Sequence, residues 1–243
     1  MVANVAAMPS AQYHFVRIVG YLLCLYVLDC IVCCTKLGSI ARWQSLHTFA
    51  NFFISCFSVG DFIRTMMDPI SSCLGVPVTG YSLQPVYIII ALHTYHMLPF
   101  LGFRLKADDY FHHLLFGGVI GSAGVSGLVI QRTGAIQNFV AFFICGLPGF
   151  LDYAMLVMVK LGYFTKEEEK TWNARINVWV RSPGLMGSAC IMYISVLYGP
   201  LESPCRAKPV LTLLCAFLIL FNGQYYLQVV VGNTFRKVKT YNS

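Results

Sequence analysis

Charge is what this sequence has least of. Only 11% of its 243 residues are Asp, Glu, Lys or Arg, and Asp and Glu together number ten. A water-soluble domain covers its surface with about 25% charged residues, so a soluble globular class is excluded. No low-complexity tract, internal repeat or long polar linker interrupts the chain. No basic stripe interleaved with aromatics is present either, which argues against nucleic acid as a partner despite a formal charge of +7. The segment 1–14, a short N-terminal tail, lacks the basic start and cleavage pattern of a secretory signal. The first apolar run is therefore expected to act as its own targeting signal.

What fills the chain instead is apolar sequence, 57% of all residues. It gathers into seven runs, approximately Phe15 to Cys34, Trp43 to Phe62, Ser82 to Leu101, His112 to Ile130, Ala135 to Val159, Asn177 to Tyr198 and Pro209 to Val231. A hydrocarbon core of about 30 Å takes roughly 20 helical residues to cross. The runs are continuous rather than alternating, so the expected fold is all-α, a polytopic transmembrane bundle of about seven helices over 15–232 with a basic tail over 233–243. Six or eight crossings stay open, because Gly146-Leu147-Pro148-Gly149 lies within the fifth run and invites a kink or a break.

Lys and Arg concentrate in alternate loops and the C-terminal tail, at Lys36, Arg42, Arg104, Lys106, Lys160, Lys166, Lys170, Arg175, Arg236, Lys237 and Lys239. By the positive-inside rule the C-terminus is expected on the cytosolic side, or in a matrix or stroma, and the N-terminus on the other. Six of the ten cysteines lie within crossings (Cys24, Cys30, Cys56, Cys145, Cys190 and Cys215) and are expected to pack as small hydrophobes. Cys73 and Cys205 fall in loops on the non-cytosolic side, where a bridge between them is open. Small residues at Gly117, Gly118, Gly121, Gly124 and Gly127 suit the fourth run to close helix contact.

Ionisable side chains inside apolar runs mark candidate sites, because each is costly in lipid and turns toward a partner or a cavity. They are Asp29, His47, Asp61, His93, His96, His112, His113, Asp152 and Arg181, accompanied by Asn138, Asn222 and Gln224. His93 and His96 share a helix face, and His112 and His113 follow Asp108 and Asp109 at the start of the next run. Six histidines in all, with His93-Thr94-Tyr95-His96 fitting neither the HxxxH nor the HxxHH box of membrane di-iron enzymes, make a metal unexpected. Acid-base or nucleophilic work by an imidazole requires a neighbour that fixes its tautomer, such as Asp109 or Asp152. The bland alternative is a set of hydrogen-bonded structural histidines between helices.

The stretch Tyr87 to Leu115, with Lys106-Ala107-Asp108-Asp109-Tyr110-Phe111-His112-His113, resembles the centre of the TLC domain found in ceramide synthases, translocation-associated membrane proteins and lipid-homeostasis proteins. Ser45-Leu46-His47, Arg181 and Leu220-Phe221-Asn222-Gly223-Gln224-Tyr225-Tyr226 resemble further positions of that domain in the same order, so the resemblance spans about 42–239. The acidic helix that follows the paired His in ceramide synthases is replaced here by Cys145 to Ala154, in which only Asp152 is acidic. The resemblance therefore implies the non-synthase branch and an endoplasmic reticulum membrane. It further implies lipid binding or an influence on lipid composition, through a pocket with His47, His93, His96, Arg181 and Asn222, and no cofactor. Two alternatives stand beside it. One is an acyl-CoA-dependent acyltransferase with His112 or His113 as nucleophile or base and Asp109 or Asp152 as orienter. The other is an accessory subunit among other membrane proteins.

Overall fold

The computed structural model describes residues 11–69, 82–107, 135–199 and 208–241, together with Tyr110, His113, Leu114 and Arg206. The described residues are mostly helical and contain no strand. In chain order the helices are α1 (Ala11–Cys33), α2 (Lys36–Ile40), α3 (Arg42–Met67), α4 (Gln84–Met97), α5 (Ala135–Lys160), α6 (Lys166–Tyr198) and α7 (Pro209–Tyr241). Five of them, α1, α3, α5, α6 and α7, are long and apolar enough to cross a membrane. The all-α class and the multi-pass membrane character therefore hold. The fourth run, with His112, Asp109 and the glycine-rich face, lies outside the described residues, as do Cys73 and Cys205.

Local chemistry explains the helix ends. Pro85 occupies the first turn of α4, where a missing N–H costs nothing. The helix stops at Leu98, whose extended backbone (ψ 115°) is the conformation imposed ahead of Pro99. This ends the helix after 14 residues, shorter than the run Ser82 to Leu101, and a 3₁₀ turn, Pro99–Leu101, follows. Ten of those 14 residues are buried, so α4 runs inside the bundle rather than along lipid. At α6, Thr165 accepts from the Glu168 N–H while the Glu168 carboxylate accepts from the Thr165 N–H, a capping box. Gly162, with φ 80°, turns the chain out of α5 through a conformation open to glycine.

α3 and α5 pack antiparallel in steady register: His47 meets Tyr153, Asn51 meets Gly149, Ser55 meets Gly146, and Phe62 meets Phe139 and Phe142. Asp61 accepts from Asn138 Nδ2 at 2.6 Å on the same register, and that amide also donates to the Ser82 carbonyl at 2.8 Å. Two large apolar clusters result, beside a smaller one of Val86, Tyr87 and Ile90. One joins α1, α3 and α4 through Leu25, Leu46, Ile54, Leu92 and Tyr95. The other joins α5, α6 and α7 through Phe139, Phe143, Leu185, Met192 and Ile219.

Neither proline breaks its helix. Phe142–Gly146 and Asn177–Arg181 each form one π turn, and each is followed, after one residue, by Pro-Gly: Pro148-Gly149 and Pro183-Gly184. The wider turn absorbs the register lost to a residue without an N–H, so the expected kink or break is replaced by a bulge. It also carries α6 unbroken from its polar start at Lys166 into the apolar run that begins near Asn177. The glycines serve close approach. A Cβ on Gly149 would stand 2.7 Å from Asn51 Nδ2, and one on Gly184 would overlap the Phe143 ring.

The cysteines differ from expectation. Cys24, Cys30, Cys56 and Cys190 lie on the outer surface of the bundle, while Cys215 is buried and Cys145 half-buried. A thiol is apolar enough to face acyl chains, so it does not need the interior.

Candidate functional site

Between the two apolar clusters runs a cavity of about 360 Å³, within the roughly 300–1,000 Å³ range of small-molecule sites. On α5 its wall extends from Ile136 to Tyr153, and on α7 from Cys215 to Val230. It is lengthwise in the bundle, and its polar groups are unevenly spread. His47, Asp152 and Tyr153 sit at one end; Asn51, Arg181, Asn222 and Tyr226 form a belt; Gln137 is set apart beside Ile136 at the other end.

The belt is built around the two bulges. Pro148 cannot donate to the Ile144 carbonyl, and Arg181, the last residue of the opposite π turn, supplies Nη2–H to that oxygen at 2.7 Å. The guanidinium lies 5.3 Å from the Tyr226 ring centroid, a cation–π contact. Its Nε is buried with no hydrogen-bond partner among the described residues. One cation thus joins two helices and still presents an uncommitted N–H beside the cavity. Asn222 is buried on the α7 wall, and its neighbour Gln224 donates to Ser182 Oγ at 3.0 Å.

At the polar end, Asp152 accepts from Asn173 Nδ2 at 2.7 Å, and Asn177 Nδ2 donates to the Asn173 side-chain oxygen at 2.6 Å. Behind His47 lies a packed group of rings. His47 stacks on Tyr153 at 4.2 Å and on His96 at 4.8 Å, and Trp43 stacks on His96 at 4.0 Å while standing 4.9 Å from His47. His113 stands edge-on to His93 at 4.8 Å and to His96 at 5.8 Å. Four imidazoles, His47, His93, His96 and His113, therefore meet in the interior from three segments. His93 Nδ1 donates to the Ile89 carbonyl at 2.7 Å and His113 Nδ1 to the His93 carbonyl at 3.1 Å. These bonds place the proton on Nδ1 and leave Nε2 as the basic nitrogen of each ring. His96 is 1% exposed, and neither of its ring nitrogens has a partner among the described residues.

Beneath this group, Arg42 grips Asp29 through two bonds, Nε to Oδ1 at 2.7 Å and Nη2 to Oδ2 at 2.5 Å, while Tyr95 donates to Asp29 at 2.8 Å. The same guanidinium reaches the Leu101 carbonyl at 3.0 Å and lies 4.3 Å from the Phe103 ring centroid, and Phe103 stands edge-on to His96. The pair ties the start of α3 to α1, to α4 and to the turn after it.

Of the residues singled out from sequence, His47, His93, Asp152, Arg181 and Asn222 line the cavity. His96 and His113 stand behind that wall, while His112 and Asp109 are outside the described residues. Asn51, Gln137, Tyr153 and Tyr226 also line it and were not anticipated. Asn51 and Gln137 are polar residues inside apolar runs, the same signal that marked Asn138. Tyr153 and Tyr226 carry no such signal in a chain with fourteen tyrosines. Among the described residues no cluster of His, Cys, Asp or Glu has the arrangement of a metal site. Compared with protein-family models, with curated proteins and with solved structures, the chain has no match.

Proposed function

We propose that this chain is a lipid-handling membrane protein of TLC type, which takes up an amphiphile in the cavity between its two apolar clusters. The observation that carries this reading is Arg181, a cation held inside an apolar cavity with its Nε uncommitted. A guanidinium in such surroundings favours a ligand oxygen, from a carboxylate or a phosphate, over unpaired burial. The surrounding wall is mostly apolar, which suits an acyl chain. The polar end lies toward Lys160 and Lys166, on the side that the positive-inside rule assigns to the cytosol. The membrane proposed, on the resemblance, is the endoplasmic reticulum.

The test is native mass spectrometry of the purified protein with bound lipids identified. The expected result is one lipid class retained by the wild type and lost in Arg181→Ala. Equal lipid profiles for the two proteins would refute it.

One observation favours a second reading, an acyltransferase. His113 has its Nδ1 proton engaged by a backbone carbonyl, the arrangement that presents Nε2 as a base. Consumption of acyl-CoA by wild-type membranes, abolished in His113→Ala, would establish that reading. Turnover absent in both leaves binding.

A further inference from the structure

Gln137 is a poor choice for where it stands. It is 8% exposed on the cavity wall, and neither Nε2 nor Oε1 has a hydrogen-bond partner among the described residues. Around it the wall is formed by Ile136, Val140, Val86 and Met192. Unlike Asn138, the next residue, whose amide is used by Asp61 and the Ser82 carbonyl, Gln137 ties no two of the described segments together. A buried amide without partners costs stability, and a leucine there would not. Its placement calls for a ligand group.

The cavity's proportions narrow what that ligand is. From Ile136 to Tyr153 is seventeen residues of helix, about 25 Å at 1.5 Å per residue. A volume of about 360 Å³ over that length gives a mean cross-section on the order of 15 Å², the scale of one hydrocarbon chain rather than of two side by side. Along α5, Gln137 is seven residues, roughly 10 Å, from Ile144, whose carbonyl Arg181 holds, and fifteen residues, roughly 22 Å, from Asp152. A chain whose head group lies at the belt or beyond it therefore passes Gln137 well along its length.

We propose that the ligand is a single-chain amphiphile carrying a second hydrogen-bonding group, a hydroxyl or a carbonyl, on the distal part of its chain, and that Gln137 receives this group. A side-chain amide both donates and accepts, so it satisfies a hydroxyl in both senses. The inference rests on the amphiphile reading of the cavity and adds to it a chemical requirement on the tail. It makes Gln137 a specificity residue, since a site built to hydrogen-bond a substrate hydroxyl discriminates against the ligand that lacks it.

Palmitate and its monohydroxy isomers, with the hydroxyl walked along the chain, are the probes. Dissociation constants are measured on the full-length protein, stripped of lipid and held in detergent. Wild type is expected to bind one or a few adjacent distal isomers about 5- to 10-fold tighter than palmitate, the gain from one or two neutral hydrogen bonds. Gln137→Leu and Gln137→Met are expected to lose that preference, to bind palmitate at least as tightly as wild type, and to melt no earlier. Palmitate bound by wild type with no isomer preferred overturns the inference and leaves the amphiphile reading in place. So does a preference that survives in both variants. Failure of wild type to bind palmitate and every isomer removes the amphiphile reading, and the inference with it.

Discussion

Arg181→Ala isolates the joint between the two bulged helices. In wild type the Ile144 carbonyl receives Arg181 Nη2 at 2.7 Å because Pro148, four residues on, has no N–H to give it. Removing the guanidinium leaves a buried carbonyl without its charged donor, at a cost of about 2 kcal/mol. For a chain of this size that corresponds to a fall in Tm of roughly 4–8 °C. Pro148→Ala restores an N–H at position 148 that can close an ordinary helical bond to Ile144. In that background Arg181→Ala should cost less than half as much, a coupling of about 1 kcal/mol in the double-mutant cycle. Thermal unfolding of lipid-stripped protein in detergent, followed by Trp fluorescence, measures all four corners. An Arg181→Ala penalty that is the same with and without Pro148 would refute the reasoning, because the guanidinium would then be stabilising something other than the carbonyl that proline forsakes.

Gly184→Ala places a methyl group in the Phe143 ring and should destabilise by about 1–3 kcal/mol; Phe143→Leu in the same chain should recover much of the loss, as the same melts will show. Asp29→Ala leaves Arg42 half-buried and unpaired and should cost about 3–5 kcal/mol, whereas replacing both by apolar residues of similar volume, Asp29→Leu with Arg42→Met, should lie much nearer wild type.

The membrane class was readable because continuous apolar runs separated by short polar loops leave a chain no other way to satisfy its backbone. Helix ends were less so. Apolar character continues through Leu98 and Pro99, but helical geometry does not, so α4 is shorter than its run. Gly146-Leu147-Pro148-Gly149 pointed to an irregularity without revealing its form, and the donor that takes up the Ile144 carbonyl is 37 positions away. Among site residues, His47, Asp152 and Arg181 stood out as costly groups in lipid. Gln137 obeys the same rule as Asn138 beside it, and only the fold separates an amide on the cavity wall from one committed to Asp61. Trp43, which roofs His96, had no signal at all: an aromatic in a span is ordinary until its stacking partner is known.

Helix α1 turns most of its apolar surface outward, with Phe15, Val16, Leu23, Val27 and Ile31 exposed and only His14, Leu25, Asp29 and Val32 buried. In a bilayer that surface gains nothing by leaving the acyl chains, so docking falls to three polar pins: His14 with Tyr87, Tyr21 with Gln84, and Asp29 with both Arg42 and Tyr95. Its grip is thus exchangeable, set by competition for hydrogen bonds rather than by oil and water. Short-chain alcohols, which carry hydroxyls into the hydrocarbon, should loosen α1 ahead of every other span, uncovering Tyr87 and the outer flank of α4.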